Sequence, residues 1–207
     1  MTPMNLYDRH VLPKLMHLAM SLPQLHAYRQ RTIGQARGMV LELGFGSGLN
    51  LPFYDVARVS RLVALDPAES LLTLAKDRIS RAPFPVEVLQ TGAERIPLAD
   101  ASVDTVLCTW TLCSIPAVEQ ALAEVRRVLK PDGRFLFVEH GLSPEPKVAH
   151  WQRRITPLWR HCAGGCHLDR KTDALVSAAG LRLADLRTGY MGPFRTLGYM
   201  YEGCAKP

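Results

Sequence analysis

The residues of this chain best placed to do chemistry cluster around one glycine run. Leu41-Glu42-Leu43-Gly44-Phe45-Gly46-Ser47-Gly48 closes a short apolar stretch, and Asp66 follows Gly48 by eighteen positions at the end of a second one. Glycines there let the backbone turn sharply and approach a ligand closely, and a helix opening after the run would add unpaired N–H groups. In an open parallel sheet, an acid at the end of the neighbouring strand lies beside that loop and can accept both hydrogen bonds of a ribose diol. The pair reads as a nucleoside-cofactor site. It is not a dinucleotide fingerprint, because Leu49 stands where the third glycine of G-x-G-x-x-G belongs, and no P-loop Lys-Ser/Thr follows.

Other candidates are isolated. His140 ends a later apolar run, at the sheet edge where such folds bind ligands, and His167 sits in a Gly-Gly-Cys-His-Leu turn; each reads as a general base or as an ordinary hydrogen-bonded histidine. Cys162, Cys166 and His167 have a metal-like look but lack a fourth ligand at a recognisable spacing, so no metal is expected. Cys108 and Cys113 read as small buried packers. Trp110, Trp151 and Trp159 are suited either to an apolar acceptor pocket, with Cys113 beside it, or to the core.

The elements that must carry these groups alternate. Apolar runs at 39–43, 61–65, 85–90, 103–110 and 134–140 are separated by helical stretches, one directly after the glycine run, one over 69–81 and one over 116–130. In the last, Val118, Ala121, Leu122, Val125, Val128 and Leu129 keep helical spacing, with Ser114 as a cap and Pro131-Asp132-Gly133 as the stop. Repeated strand–helix units predict an α/β fold with a mostly parallel sheet covered on both faces. Residues 5–35 read as a helical cap broken at Pro13 and Pro23, and 151–170 as an inserted helix and loop. A helix over 171–179 and two strands at 181–188 and 196–202, the last antiparallel, complete one domain over 1–207, with 36–207 as its core.

Composition narrows the class. Hydrophobic residues make up 47% of the 207 and charged residues 21%, which fits a globular chain, and no apolar stretch is long enough to span a membrane. Without a signal-peptide pattern and with five cysteines in no disulfide-like framework, a reducing cytoplasmic location is expected. The net charge of +6 is dispersed and reads as a solvated face, so no nucleic-acid partner is expected. Leucines, methionines and basic residues alternate on the first helix, which suits peripheral contact with a membrane.

The glycine run, with Glu42 before it, resembles the first motif of class I S-adenosylmethionine-dependent methyltransferases. Thr91-Gly92-Ala93-Glu94 followed by Ile96-Pro97-Leu98 resembles that family's adenine-framing segment, with Gly92 where many relatives carry Asp. Cys108–Ser114, Val138-Glu139-His140-Gly141 and Gly165–Arg170 look like the subfamily that includes alkyl thiol S-methyltransferases. The resemblance implies a Rossmann-like sheet of seven strands and S-adenosylmethionine held by Glu42, Gly44, Phe45, Gly46, Gly48, Asn50, Asp66, Pro67, Ala93, Glu94, Thr109 and Trp110. It also implies that Tyr7 and His10 act as lid residues over the cofactor carboxylate. Trp110, Cys113, His140, Trp151 and His167 would then face the acceptor, with His140 and His167 as candidate bases.

Methyl transfer from a sulfonium needs alignment more than covalent or metal assistance. The chain lacks the Asn/Asp-Pro-Pro-Tyr/Phe motif of adenine and glutamine methylases after its fourth strand, and no carboxylate lies in 105–115 to deprotonate an amine or phenol. A thiol needs less help than a phenol, which favours a small lipophilic thiol acceptor. Phospholipid ethanolamine or another small O- or N-acceptor, a cofactor-binding module without turnover, and RNA methylation are the competing readings.

Overall fold

The computed structural model describes Tyr7 and residues 11–207. Seven strands form one sheet: β1 (Gly38–Leu43), β2 (Val59–Leu65), β3 (Val86–Leu89), β4 (Val103–Thr109), β5 (Leu129–His140), β6 (Arg182–Tyr190) and β7 (Tyr199–Lys206). Their order is β3-β2-β1-β4-β5-β7-β6. The first five run parallel, and β7 is antiparallel to both neighbours. The helices are α1 (Leu12–Met20), α2 (His26–Ile33), α3 (Glu69–Ser80), α4 (Val118–Val128), α5 (Pro146–Cys162) and α6 (Thr172–Ala178).

The central strands are apolar on both sides because both faces are covered. Side chains alternate, so Leu41, Leu43, Val106 and Cys108 join one core layer, with α4 and Phe135 and Phe137 of β5. Val40, Leu62, Ala64, Leu107 and Leu136 join the other, against Ile33 of α2 and Leu72 and Ala75 of α3. Helix α4 buries Val118, Ala121, Leu122, Val125 and Val128, the face its spacing predicts.

Several local expectations need correction. No helix follows the glycine run: there is one 3-10 turn, Leu51–Phe53, with Pro52 at its start, and an irregular path to Val59. Proline has no N–H to continue a helical ladder, and the turn ends at Tyr54 in extended backbone. The glycine run therefore has no α-helix N-terminus behind it. Ser114 does not cap α4, which starts after Ala117 without a side-chain cap. Pro131-Asp132-Gly133 lies inside β5, bulging out where Val103 pairs with Leu129 and Thr105 with Arg134. The last strand starts at Tyr199, because Met191 N–H donates to the Gly198 carbonyl at 2.7 Å and keeps the preceding residues in the hairpin loop.

Candidate active site

The carboxyl ends of β1 and β2 are stitched together first by backbone. The N–H groups of Gly44 and Phe45 both donate to the Leu65 carbonyl, at 2.9 and 3.1 Å. Gly44 has a φ of +69°, and a Cβ there would run into the Thr111 side chain, so only glycine fits. Asp66 then grips the turn: Oδ2 accepts from Gly46 N–H and Oδ1 from Ala68 N–H, both at 2.8 Å. Burial pushes its carboxyl pKa up, and the two N–H donors pull against that. Gly46 differs from Gly44 in having open space in front of it, the nearest atom to a Cβ there being 3.9 Å away.

A buried polar chain supports the other flank. Tyr54 OH donates to Glu42 Oε2 at 2.6 Å, and Asn50 Nδ2 donates to Glu42 Oε1 at 2.8 Å and to Thr109 Oγ1 at 2.9 Å. Arg29 Nε donates to Asn50 Oδ1 at 2.8 Å, and its guanidinium lies 5.0 Å from the Trp110 ring centroid. Glu42 is fully buried, and desolvation raises its pKa to about 7 against the opposing hydrogen bonds and Arg29. Trp110 holds a left-handed φ of +49°, fixed by its N–H donating to the Val138 carbonyl at 2.8 Å.

Between these supports lies a cavity of about 980 Å³. Its floor is the edge of β1, β2 and β4, and Leu12, Pro13, Met16, His17 and Met20 of α1 close over it. Of the residues expected to hold a cofactor, Gly44, Phe45, Gly46, Asn50, Asp66, Pro67, Ala93, Glu94, Thr109 and Trp110 line it. Glu42 and Gly48 stand behind the wall, Glu42 through Asn50 and Gly48 against the Phe45 ring. A Cβ on Gly92 would come within 2.5 Å of Glu94 Oε2, so the Glu94 carboxylate folds into the space that an Asp side chain at position 92 would take.

The acceptor-side expectations fare differently. Among the described residues that line the cavity, the histidines are His17, whose Nδ1 is 2.7 Å from Ser47 Oγ, and His161. Neither His140 nor His167 lines it. His140 packs behind the wall with Nε2 3.2 Å from Cys166 Sγ, and the buried Cys113 lies beside them. His167 lies near Asp169, at 3.6 Å. Trp151 is 56% exposed on the outer face of α5, a correction explained by which face of that helix is buried: Ala149, Gln152 and Thr156 point inward. Tyr7 donates its hydroxyl to the Cys162 carbonyl at 3.0 Å and is not part of the lining, while His10 lies outside the described residues.

Sequence reasoning missed Arg29, Tyr54 and His17, and did not place the Gly164–Gly165 turn on the cavity. Arg29 is 3% exposed in a helix of low apolar content. A buried arginine is a signal only once its partners are known.

A family model described as a methyltransferase domain matches residues 41–137. The human protein thiol S-methyltransferase TMT1B is 39% identical over 137 residues, covering 64% of this chain and 55% of the relative. A demethylmenaquinone methyltransferase from Symbiobacterium thermophilum is 28% identical over 133 residues, covering 60% of this chain and 53% of that protein. The chain thus spans about half the length of the curated relatives it matches. Among solved structures, a Thermotoga maritima protein titled as a SAM-dependent methyltransferase, possible histamine N-methyltransferase, superposes with a TM-score of 0.67 at 18% identity, covering 96% of this chain and 98% of that one. An open glycine cradle, a buried acid beside it and a cation at the far flank fit the amino-acid tail and ribose of S-adenosylmethionine. The chain thus carries, over residues 41–137, a segment that matches a methyltransferase domain, on a seven-stranded fold shared with that solved structure.

Proposed function

We propose that this chain transfers a methyl group from S-adenosylmethionine to a small lipophilic thiol. The carrying observation is the cavity at the ends of β1, β2 and β4, where Gly46 leaves room for a ligand and Asp66 offers a fixed acceptor. When bound, the cofactor supplies an electrophilic methyl on a sulfonium. Arg29, buried at the cavity wall, is placed to pair with the carboxylate of an amino-acid tail, and Asp66 with a sugar diol.

The acceptor end supports a thiol. From Thr109 to Pro116 the chain lines the cavity with Thr109, Trp110, Thr111, Ser114, Ile115 and Pro116, none of them a carboxylate. Moving a thiolate towards a sulfonium in such a wall cancels charge rather than creating it, so a dry pocket helps the step. The thiol S-methyltransferases among the similar proteins point the same way. The test is labelled-methyl transfer into a panel of alkyl thiols, phenols and ethanolamine phospholipids. Product from the thiols in excess over the others is expected, and cofactor binding with no product from any acceptor would replace this reading with a non-catalytic binding module.

Location in the cytoplasm with peripheral membrane contact through α1 belongs to the same proposal. Val11, Leu15, Leu18 and Leu22 are exposed around that helix, Leu18 at 67%, next to the cavity it covers. No described helix is long and apolar enough to cross a membrane. Co-sedimentation with vesicles, lost on replacing Leu15 and Leu18 with Ser, is the expected result.

A further inference from the structure

Three ligating side chains from three separate segments meet behind the acceptor end of the cavity. Cys113 follows β4, His140 ends β5 and Cys166 lies in the loop between α5 and α6, and one potential donor atom from each falls within 4.8 Å of the others. His140 Nε2 is 3.2 Å from Cys166 Sγ. Both sulfurs belong to buried residues, and the indole N–H of Trp159 donates to Cys166 Sγ at 3.2 Å.

Simple packing accounts poorly for this group. A structural histidine normally gives its ring nitrogens oxygen or nitrogen partners, yet His140 Nε2 faces only a thiol among the described residues. Tetrahedral zinc has bonds of about 2.3 Å to sulfur and 2.0–2.1 Å to nitrogen, which puts its ligand atoms roughly 3.3–3.8 Å apart. His140 Nε2 and Cys166 Sγ are already close to that spacing, and Cys113 offers its sulfur within 4.8 Å of both residues' donor atoms. We propose that Cys113, His140 and Cys166 form a binding site for a soft divalent cation, zinc foremost.

Binding replaces the two thiol protons, released to solvent, with two sulfur–metal bonds and one imidazole bond. The two thiolates balance the charge of the cation, so the buried site is neutral overall. Three protein ligands leave the fourth tetrahedral position to water. The metal ties the α5–α6 loop to the ends of β4 and β5. That loop carries Gly164 and Gly165, which line the cavity, and its His167 N–H already donates to the Cys113 carbonyl at 2.8 Å. The proposal stands independently of which acceptor is methylated.

Cobalt(II) is the probe. Added to the reduced, metal-stripped full chain, it should bind one equivalent and give the near-ultraviolet charge-transfer band of two thiolate ligands, displaced by one equivalent of zinc. Cys113→Ser and Cys166→Ser should each halve that band and weaken binding by roughly 100-fold or more, while Cys162→Ser, at an exposed position, should change neither. If the buried variants do not fold, the wild-type spectrum decides. A folded wild-type chain without the band would overturn the proposal, and so would a band of undiminished intensity in folded Cys166→Ser. A pair of thiols recovered only after reduction, with no metal bound by the reduced chain, would show a disulfide instead and also overturn it.

Discussion

The two ends of the cavity are built by opposite means. At the donor end, backbone does most of the work: Gly44 and Phe45 hang on one carbonyl, Asp66 holds Gly46 and Ala68, and every contact joins residues near the ends of two adjacent strands. At the acceptor end, side chains from β4, β5 and the α5–α6 loop meet across long stretches of sequence, and the groups with reactive chemistry, Cys113, His140 and Cys166, stand behind the wall rather than on it. A site for an invariant cofactor can be written in one local motif. A site that sorts acceptors is assembled by the fold, and its chemistry cannot be assigned to a residue by type alone.

The largest effect separating the two ends is expected at Gly44. Alanine there must adopt a left-handed conformation, at about 1–2 kcal/mol, and also displace the Thr111 side chain. A total loss of about 3 kcal/mol or more is expected, read as a fall in the denaturant midpoint. Gly46→Ala has the same backbone strain but open space, so it should cost only about 1–2 kcal/mol of stability while weakening cofactor binding more than it weakens the fold.

The buried chain through Glu42 should show itself in the pH dependence of stability. Its folded pKa, about 7, lies above the ordinary carboxylate value, so the folded state holds a proton that the unfolded state has already lost. Stability from this group is full below about pH 4.5 and is lost as pH rises to about 7, by about 3 kcal/mol at most. Glu42→Gln, which keeps an acceptor for Asn50, should flatten urea midpoints across that window. A slope unchanged in the variant would mean that Glu42 is not the group responsible.

The smallest effects are expected where sequence reasoning pointed and the structure did not follow. His167→Ala should change kcat by less than about threefold across the pH range, because the imidazole is not part of the cavity wall. Trp151→Ala should shift stability by no more than about 0.5 kcal/mol and leave acceptor preference unchanged, because the indole faces outward. A large loss of activity in either variant would move the acceptor site away from the β4 edge.

What was legible in the sequence follows the same division. The glycine run, Asp66, the alternation of strands and helices and the buried face of α4 rest on short spacings that each encode one geometry. Helix α5 shows why other features were not. Its large apolar residues Trp151, Ile155 and Leu158 face outward, while Gln152 is buried because its amide bonds to the Gly141 and Thr196 carbonyls and accepts from Ser143 N–H. A polar residue satisfied by distant backbone inverts the helix face that hydrophobicity would choose. Arg29 escaped for the same reason, its partner Asn50 lying across the cavity wall. The missing helix after Gly48 reflects Pro52, visible in the sequence but outweighed by the expected alternation of strands and helices.

Calorimetric titration of S-adenosylmethionine into the wild-type chain and into Asp66→Ala tests the central claim most directly. One site per chain is expected in the wild type. In a variant shown by circular dichroism to be folded, affinity should fall about 10- to 100-fold, the loss of one or two hydrogen bonds to a charged acceptor. Equal affinity in the two proteins would contradict the placement of the cofactor in this cavity.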